Sequence, residues 1–138
     1  MKNMFLAALS IVFFSCVSEK DKTDCHNAVT IQNKSNSVIY FGGRDSNSQI
    51  SYNPLKSGEY FKIVPGATKD DIFGKDRGCY EDLFTENNNK LYYLLYDEQV
   101  LLNEPWDSIV KYDKVLKRFS FTLKEMQDAN WEIIYDGN

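Results

Sequence analysis

Residues 91–96 read LYYLLY, and the environment this run requires decides the fold. A strand with one face in water alternates apolar and polar side chains. This run has no polar side, which predicts a strand covered on both faces. Other apolar residues also come in strand-length bursts. Residues 28–32 (AVTIQ) alternate, with Val29 and Ile31 on one face and Thr30 and Gln32 on the other. Residues 33–36 (NKSN) read as a turn and 37–41 (SVIYF) as a strand ended by Gly42-Gly43, so the pair is a predicted hairpin. Residues 59–67 (EYFKIVPGA) give a further strand, closed by Val64-Pro65-Gly66-Ala67. There the glycine supplies the positive φ that a type II turn requires at its third position. Residues 68–90, rich in Asp, Gly, Asn and Lys, read as loop with one helical turn.

Downstream, residues 103–112 (NEPWDSIVKY) predict a short helix with Pro105 in its first turn and Trp106, Ile109 and Val110 on one face. Residues 114–123 are strand-like, with Val115, Phe119, Phe121 and Leu123 on one side. Thr122 followed by Glu125 matches a capping box and opens a helix that stacks Leu123 on Met126. Residues 131–135 (WEIIY) align Trp131, Ile133 and Tyr135 as a closing strand. The sum is a mainly β chain: a single antiparallel β-sandwich, immunoglobulin-like or similar, with one or two short helices.

The N-terminus carries different information. Lys2 precedes an apolar run, residues 4–14, broken only by Ser10. It is shorter than the roughly 20 apolar residues a transmembrane helix needs, and it suits a signal peptide over residues 1–15. Ser15-Cys16 resembles the bacterial lipoprotein box, although Phe14 stands where that box usually has a small residue. The resemblance implies that Cys16 is lipidated and becomes the new N-terminus. Residues 18–24 (SEKDKTD) offer nothing to bury, so residues 16–24 form a solvated tether. Its serine and acids resemble the surface-export signal of Bacteroidota lipoproteins.

Removing residues 1–15 leaves 123 of 138 residues, one compact domain over 25–138. It takes away one base and no acid, so the net charge moves from −4 to −5. That excess of acid argues against nucleic acid and against charge-driven adsorption to an anionic membrane. Lipid contact is expected through acyl chains alone. With Cys16 lipidated, Cys25 and Cys79 are left as a pair that an oxidising compartment would bridge. A metal site is the alternative, but one histidine, His26, and no CxxC give zinc too few ligands. No metal or other cofactor is expected. A nucleophile built from Cys25 and His26 fails once the thiol is bridged.

The runs CHNAVTIQNKSNSVIYF, GEYFKIVPG and LYYLLYDEQVL, together with the segment from PWDSIVKY to WEIIY, resemble a group of small Bacteroidota outer-envelope lipoproteins. The resemblance covers residues 25–135. It implies a periplasmic or surface-facing β-sandwich held to the outer membrane, and it carries over no catalytic residue.

Candidate sites are sparse. Tyr80, Tyr92, Tyr93 and Trp106 are candidate contacts for a glycan or protein partner, although strand aromatics more often fill a core. Asp107-Ser108-Ile109 resembles a short O-glycosylation signal, with Ser108 as acceptor. The pairs Asp70-Asp71, Glu81-Asp82 and Asp97-Glu98 offer carboxylates for glycoside hydrolysis, provided that separate segments bring two together. Asp76, Glu81 and Asp82 offer oxygens to calcium. No GxGxxG, Walker, HExxH or GxSxG pattern occurs. The expectation is a non-catalytic, membrane-anchored envelope lipoprotein that binds a partner protein or glycan or supports an envelope assembly. The alternative is a small carboxylate-dependent hydrolase acting on envelope or extracellular glycans.

Overall fold

The structure, a computed structural model, describes residues 25–45, 48–73, 78–86 and 89–138. Residues 1–24, read as a signal peptide, a lipidated Cys16 and a tether, lie outside the described residues, as does Asp76. Among the described residues, seven strands form two sheets: β1 (Ala28–Asn33), β2 (Ile39–Asp45), β3 (Lys62–Ile63), β4 (Thr68–Ile72), β5 (Leu91–Asp97), β6 (Lys117–Phe121) and β7 (Glu132–Tyr135). One sheet has the order β4-β1-β7 and the other β3-β2-β5-β6. A 3₁₀ segment, Pro54–Phe61, and four α-helices complete the fold: α1 (Tyr80–Glu86), α2 (Glu98–Asn103), α3 (Trp106–Lys111) and α4 (Leu123–Asp128).

The chain is therefore mixed α/β, with strand and helix in near-equal shares, rather than mainly β with one or two helices. Local capping explains much of the difference. Asp97 ends β5 and its Oδ1 accepts from Gln99 N at 2.8 Å and Val100 N at 3.2 Å, so α2 starts at once. Asn53 caps the 3₁₀ segment by accepting from Leu55 N at 3.0 Å. Gly58, at φ 57°, kinks that segment, so residues 59–61 are helical and only Lys62–Ile63 extends. The capping box is present: Thr122 Oγ1 accepts from Glu125 N at 3.3 Å, and the Glu125 carboxylate accepts from Thr122 N at 2.7 Å. Those bonds hold the Glu125 carboxyl below its usual pKa.

The predicted hairpin of β1 and β2 is also corrected, since the two strands lie in different sheets. Asn33 is fully buried and turns the chain. Its Nδ2 donates to Ser37 O at 2.8 Å and Ile63 O at 3.0 Å, and its Oδ1 accepts from Ser35 N and Oγ at 3.0 and 2.6 Å. The residues that read as a hairpin turn instead make a corner between sheets. Residues 68–72, read as loop, form β4 and pair antiparallel with β1. The all-antiparallel expectation fails at one edge, where β7 runs parallel to β1 with Thr30 opposite Glu132. Such a pair needs a long crossover, which the intervening elements supply.

The LYYLLY run is covered on both faces, as its composition requires. Leu91, Tyr93 and Leu95 join Ile39 and Phe41 in a cluster shared with Val29, Ile31, Ile133 and Tyr135 of the other sheet. On the opposite face Leu94, Tyr96 and Tyr40 pack with Leu101 of α2 and Ile109 of α3. Trp131 closes the shared cluster at φ 60°, its amide donating to Met126 O and its carbonyl accepting from Thr30 N. Cys25 and Cys79 are disulfide-bonded, with Cα atoms 5.1 Å apart. No helix among the described residues is long and apolar enough to cross a membrane.

Candidate functional site

β3 pairs only with Ile39 and Tyr40, so from Phe41 onward the edge of β2 is met by the 3₁₀ segment instead of a strand. A cavity of about 370 Å³ opens there. Gly42, Leu94 and Tyr96 line it from the four-stranded sheet, and Tyr52, Ser57, Tyr60 and Phe61 from the 3₁₀ segment and its approach. Gln49 and Ser51 add polar groups, and Asp71 reaches in from the other sheet. Gly42 is needed for close approach. A Cβ at that position would stand 2.8 Å from Tyr96 Cε2, so any side chain would displace the Tyr96 ring.

Phe61 anchors the aromatic wall. Its ring meets Phe41 at 4.8 Å, Tyr60 at 4.8 Å and Tyr52 at 6.0 Å, all edge to face. Phe41 is in the core, whereas Tyr52 and Tyr60 are 39% and 45% exposed. The exposed rings are thus tied to the core through the half-buried Phe61. Tyr52 Oη lies 2.6 Å from Ser57 Oγ, and Lys69 Nζ donates to Glu59 O at 2.7 Å beneath the Tyr60 ring. Nothing in residues 49–60 matched a known motif. The signal available in the sequence was Asn53-Pro54 and Ser57-Gly58, two turn dipeptides flanked by Tyr52 and Tyr60.

Asp71 is 3% exposed and has a definite role. Its Oδ2 accepts from Tyr80 Oη at 2.9 Å and Tyr93 Oη at 3.0 Å, and Tyr80 Oη also lies 2.8 Å from Asp71 O. Burial, then the neighbouring carboxylate, push the Tyr93 phenol well above its ordinary pKa. The phenol therefore keeps its proton and donates it to Asp71.

The residues singled out in the sequence separate into two groups. Tyr80, the first residue of α1, is fully buried with its phenol on Asp71, a core position rather than an exposed contact. Tyr93 is likewise core. Tyr92 is half-buried beside the outer cluster, and half-buried Trp106 lies 5.9 Å from the Tyr96 ring. Both stand on the same side of the four-stranded sheet as Leu94. Ser108 is half-buried in α3.

The other carboxylates have separate partners. Asp70 accepts from Thr30 Oγ1 at 2.8 Å, and Asp82 accepts from Cys79 N at 3.0 Å. Glu98 pairs with Lys62 at 3.0 Å, an interaction that raises the lysine's pKa. Glu81 accepts from His26 N at 3.1 Å and lies 2.6 Å from His26 Nδ1. The His26 ring stacks on Trp131 at 4.3 Å. His26 thus fastens the start of the domain beside the disulfide. Among the described residues, no group of three His, Cys, Asp or Glu side chains is placed to hold a metal ion.

Comparison with protein-family models, with curated proteins and with solved structures finds no match to this chain.

Proposed function

We propose that the chain is a non-catalytic, lipid-anchored protein of the bacterial cell envelope that binds a glycan in the cavity beside β2. One observation carries this reading: two exposed tyrosine rings, Tyr52 and Tyr60, border a cavity whose other exposed groups are hydroxyls and an amide. A sugar has the matching chemistry, with C–H faces for aromatic rings and hydroxyls for Ser51, Ser57 and Gln49. Asp71 is the only carboxylate among the described lining residues, and two phenols already bond it. It therefore suits an electrostatic or hydrogen-bonding role better than half of an acid–base pair. We take the two sheets as the layers of a sandwich, presented from acyl chains on Cys16 through the tether of residues 16–24.

A glycan array probed with the protein, followed by calorimetric titration of the best hit, tests the binding reading. Tyr60→Ala and Tyr52→Ala should each weaken binding by about tenfold, the loss of one aromatic contact. Equal binding by wild type and variants, or turnover of a bound glycan that disappears in Asp71→Asn, overturns it. For the anchor, labelled palmitate should enter the wild-type protein and not Cys16→Ala. Equal labelling of the two removes the lipid from the proposal.

A further inference from the structure

A second cavity, about 580 Å³, lies beside the first and shares Gln49 with it. Ser48, Ile50, Val110, Asp113 and Arg118 complete its lining. Strand register relates the two. Gly42 of β2 stands opposite Leu94 of β5, and Leu94 opposite Arg118 of β6. Residues directly opposite one another share a face, so these three form one row across the sheet. The row links the wall of the first cavity to that of the second, and because Leu94 within it is buried, a ligand spanning both lies over it along Gln49. Two strand spacings make the row roughly 10 Å long. That exceeds one sugar ring.

The segment between the cavities is fastened at its far end. Arg118 Nε donates to Ser48 O at 3.1 Å, and the same guanidinium is paired with Asp113. Arg118 is therefore committed to holding the wall and to a carboxylate, which leaves the second cavity without an unpaired cation among its described lining residues. Val110, 42% exposed, gives that cavity an apolar surface from α3. The first cavity likewise has no unpaired cation among its described lining residues, and offers aromatic surface, hydroxyls, an amide and one carboxyl group.

We infer that the two cavities are successive subsites for one extended neutral oligosaccharide, which runs from Tyr60 over the exposed Gln49 to Val110. This deepens the glycan-binding reading and rests on it. The ligand class is a linear neutral glycan of several units, rather than a monosaccharide or a uronic-acid polymer. Tyr52 and Tyr60 hold one end and Val110 faces the other.

The experiment titrates the full chain with gluco-oligosaccharides of one to six units, in an α-linked and a β-linked series, alongside a polyuronate of matched length. Affinity should rise at least tenfold between the shortest binding member and the hexamer of the preferred series, with the polyuronate weaker. Val110→Trp fills the second cavity at an exposed position. It should abolish that rise and leave the shortest member's affinity unchanged. As an independent readout, the hexamer should shift the amide resonances of Val110 and Ile50, and the shortest member only those near Tyr52 and Tyr60. Length-independent affinity, or equal weakening of short and long ligands by Val110→Trp, overturns the inference and leaves the glycan reading intact. No binding by any member overturns both.

Discussion

The two sheets solve the same burial problem with opposite sequence patterns. The four-stranded sheet is covered on both faces, and its central strand β5 is apolar along its length. The three-stranded sheet is covered on one face, and β4 reverses the usual assignment. In TKDDI the charged Asp71 is buried, whereas Ile72 is 56% exposed. Apolar surface on both faces and pairing with β2 and β6 hold β5, and its Tyr93 phenol adds one buried polar contact, to Asp71. β4 is held by its pairing with β1 and by two phenols bonding Asp71, and the disulfide and the His26–Glu81 contact tie the entrance of its sheet to α1.

If that contrast is right, the largest single loss comes from the covalent link. Replacing Cys25 and Cys79 together by serine should cost about 4 kcal/mol, the loop-entropy value for a closed loop of this size. Urea unfolding of the oxidised wild type and the double variant measures it. A difference near zero would mean that the three-stranded sheet needs no staple.

Leu95→Ala comes next. Its side chain is fully buried, and truncation should cost about 3 kcal/mol through lost burial and the cavity left behind. A loss below about 1 kcal/mol would show that the double cover over β5 is looser than its burial implies.

A smaller effect separates the polar and apolar solutions by pH. Burial holds the Tyr93 phenol protonated in the folded state, whereas an unfolded tyrosine ionises near pH 10. Above about pH 10 the unfolded chain thus binds fewer protons than the folded one, and stability falls as pH rises. Tyr93→Phe should flatten that decline while costing about 1 kcal/mol at neutral pH. Thermal midpoints across the alkaline range check this, and an unchanged slope would place the Tyr93 phenol in contact with solvent. The smallest effect belongs to the open face of the three-stranded sheet. Ile134 is 44% exposed, and Ile134→Thr should change stability by less than about 0.5 kcal/mol.

What could be read from the sequence follows the same division. β5, the Thr122–Glu125 capping box, the Pro65-Gly66 turn and the closing strand each carry a local signal that the fold does not override. β4 was illegible because its inward residue is an aspartate made tolerable by Tyr80 and Tyr93, which lie 9 and 22 residues away. The β1–β2 corner was misread because Asn33 gives the same local signal for a hairpin as for a turn between sheets. Its bond to Ile63 O, 30 residues on, decides between them. The same holds for the candidate site. Tyr92 and Trp106, legible as strand and helix aromatics, pack on the outer core cluster and lie outside the cavity lining. Tyr52 and Tyr60 were not legible, because their exposure depends on Phe61 meeting Phe41 across the edge of β2.

The position of the disulfide also has a mechanical meaning. A pull on the chain ahead of Cys25 meets a covalent junction to Cys79 before it reaches β1, so the load divides into α1 as well as into the sheet. Strands that would otherwise be peeled one hydrogen bond at a time are shielded behind a bond that tension of that order does not break. The stretch from Cys25 to Cys79, which holds β1 to β4, therefore cannot be drawn out by tension from its N-terminal side.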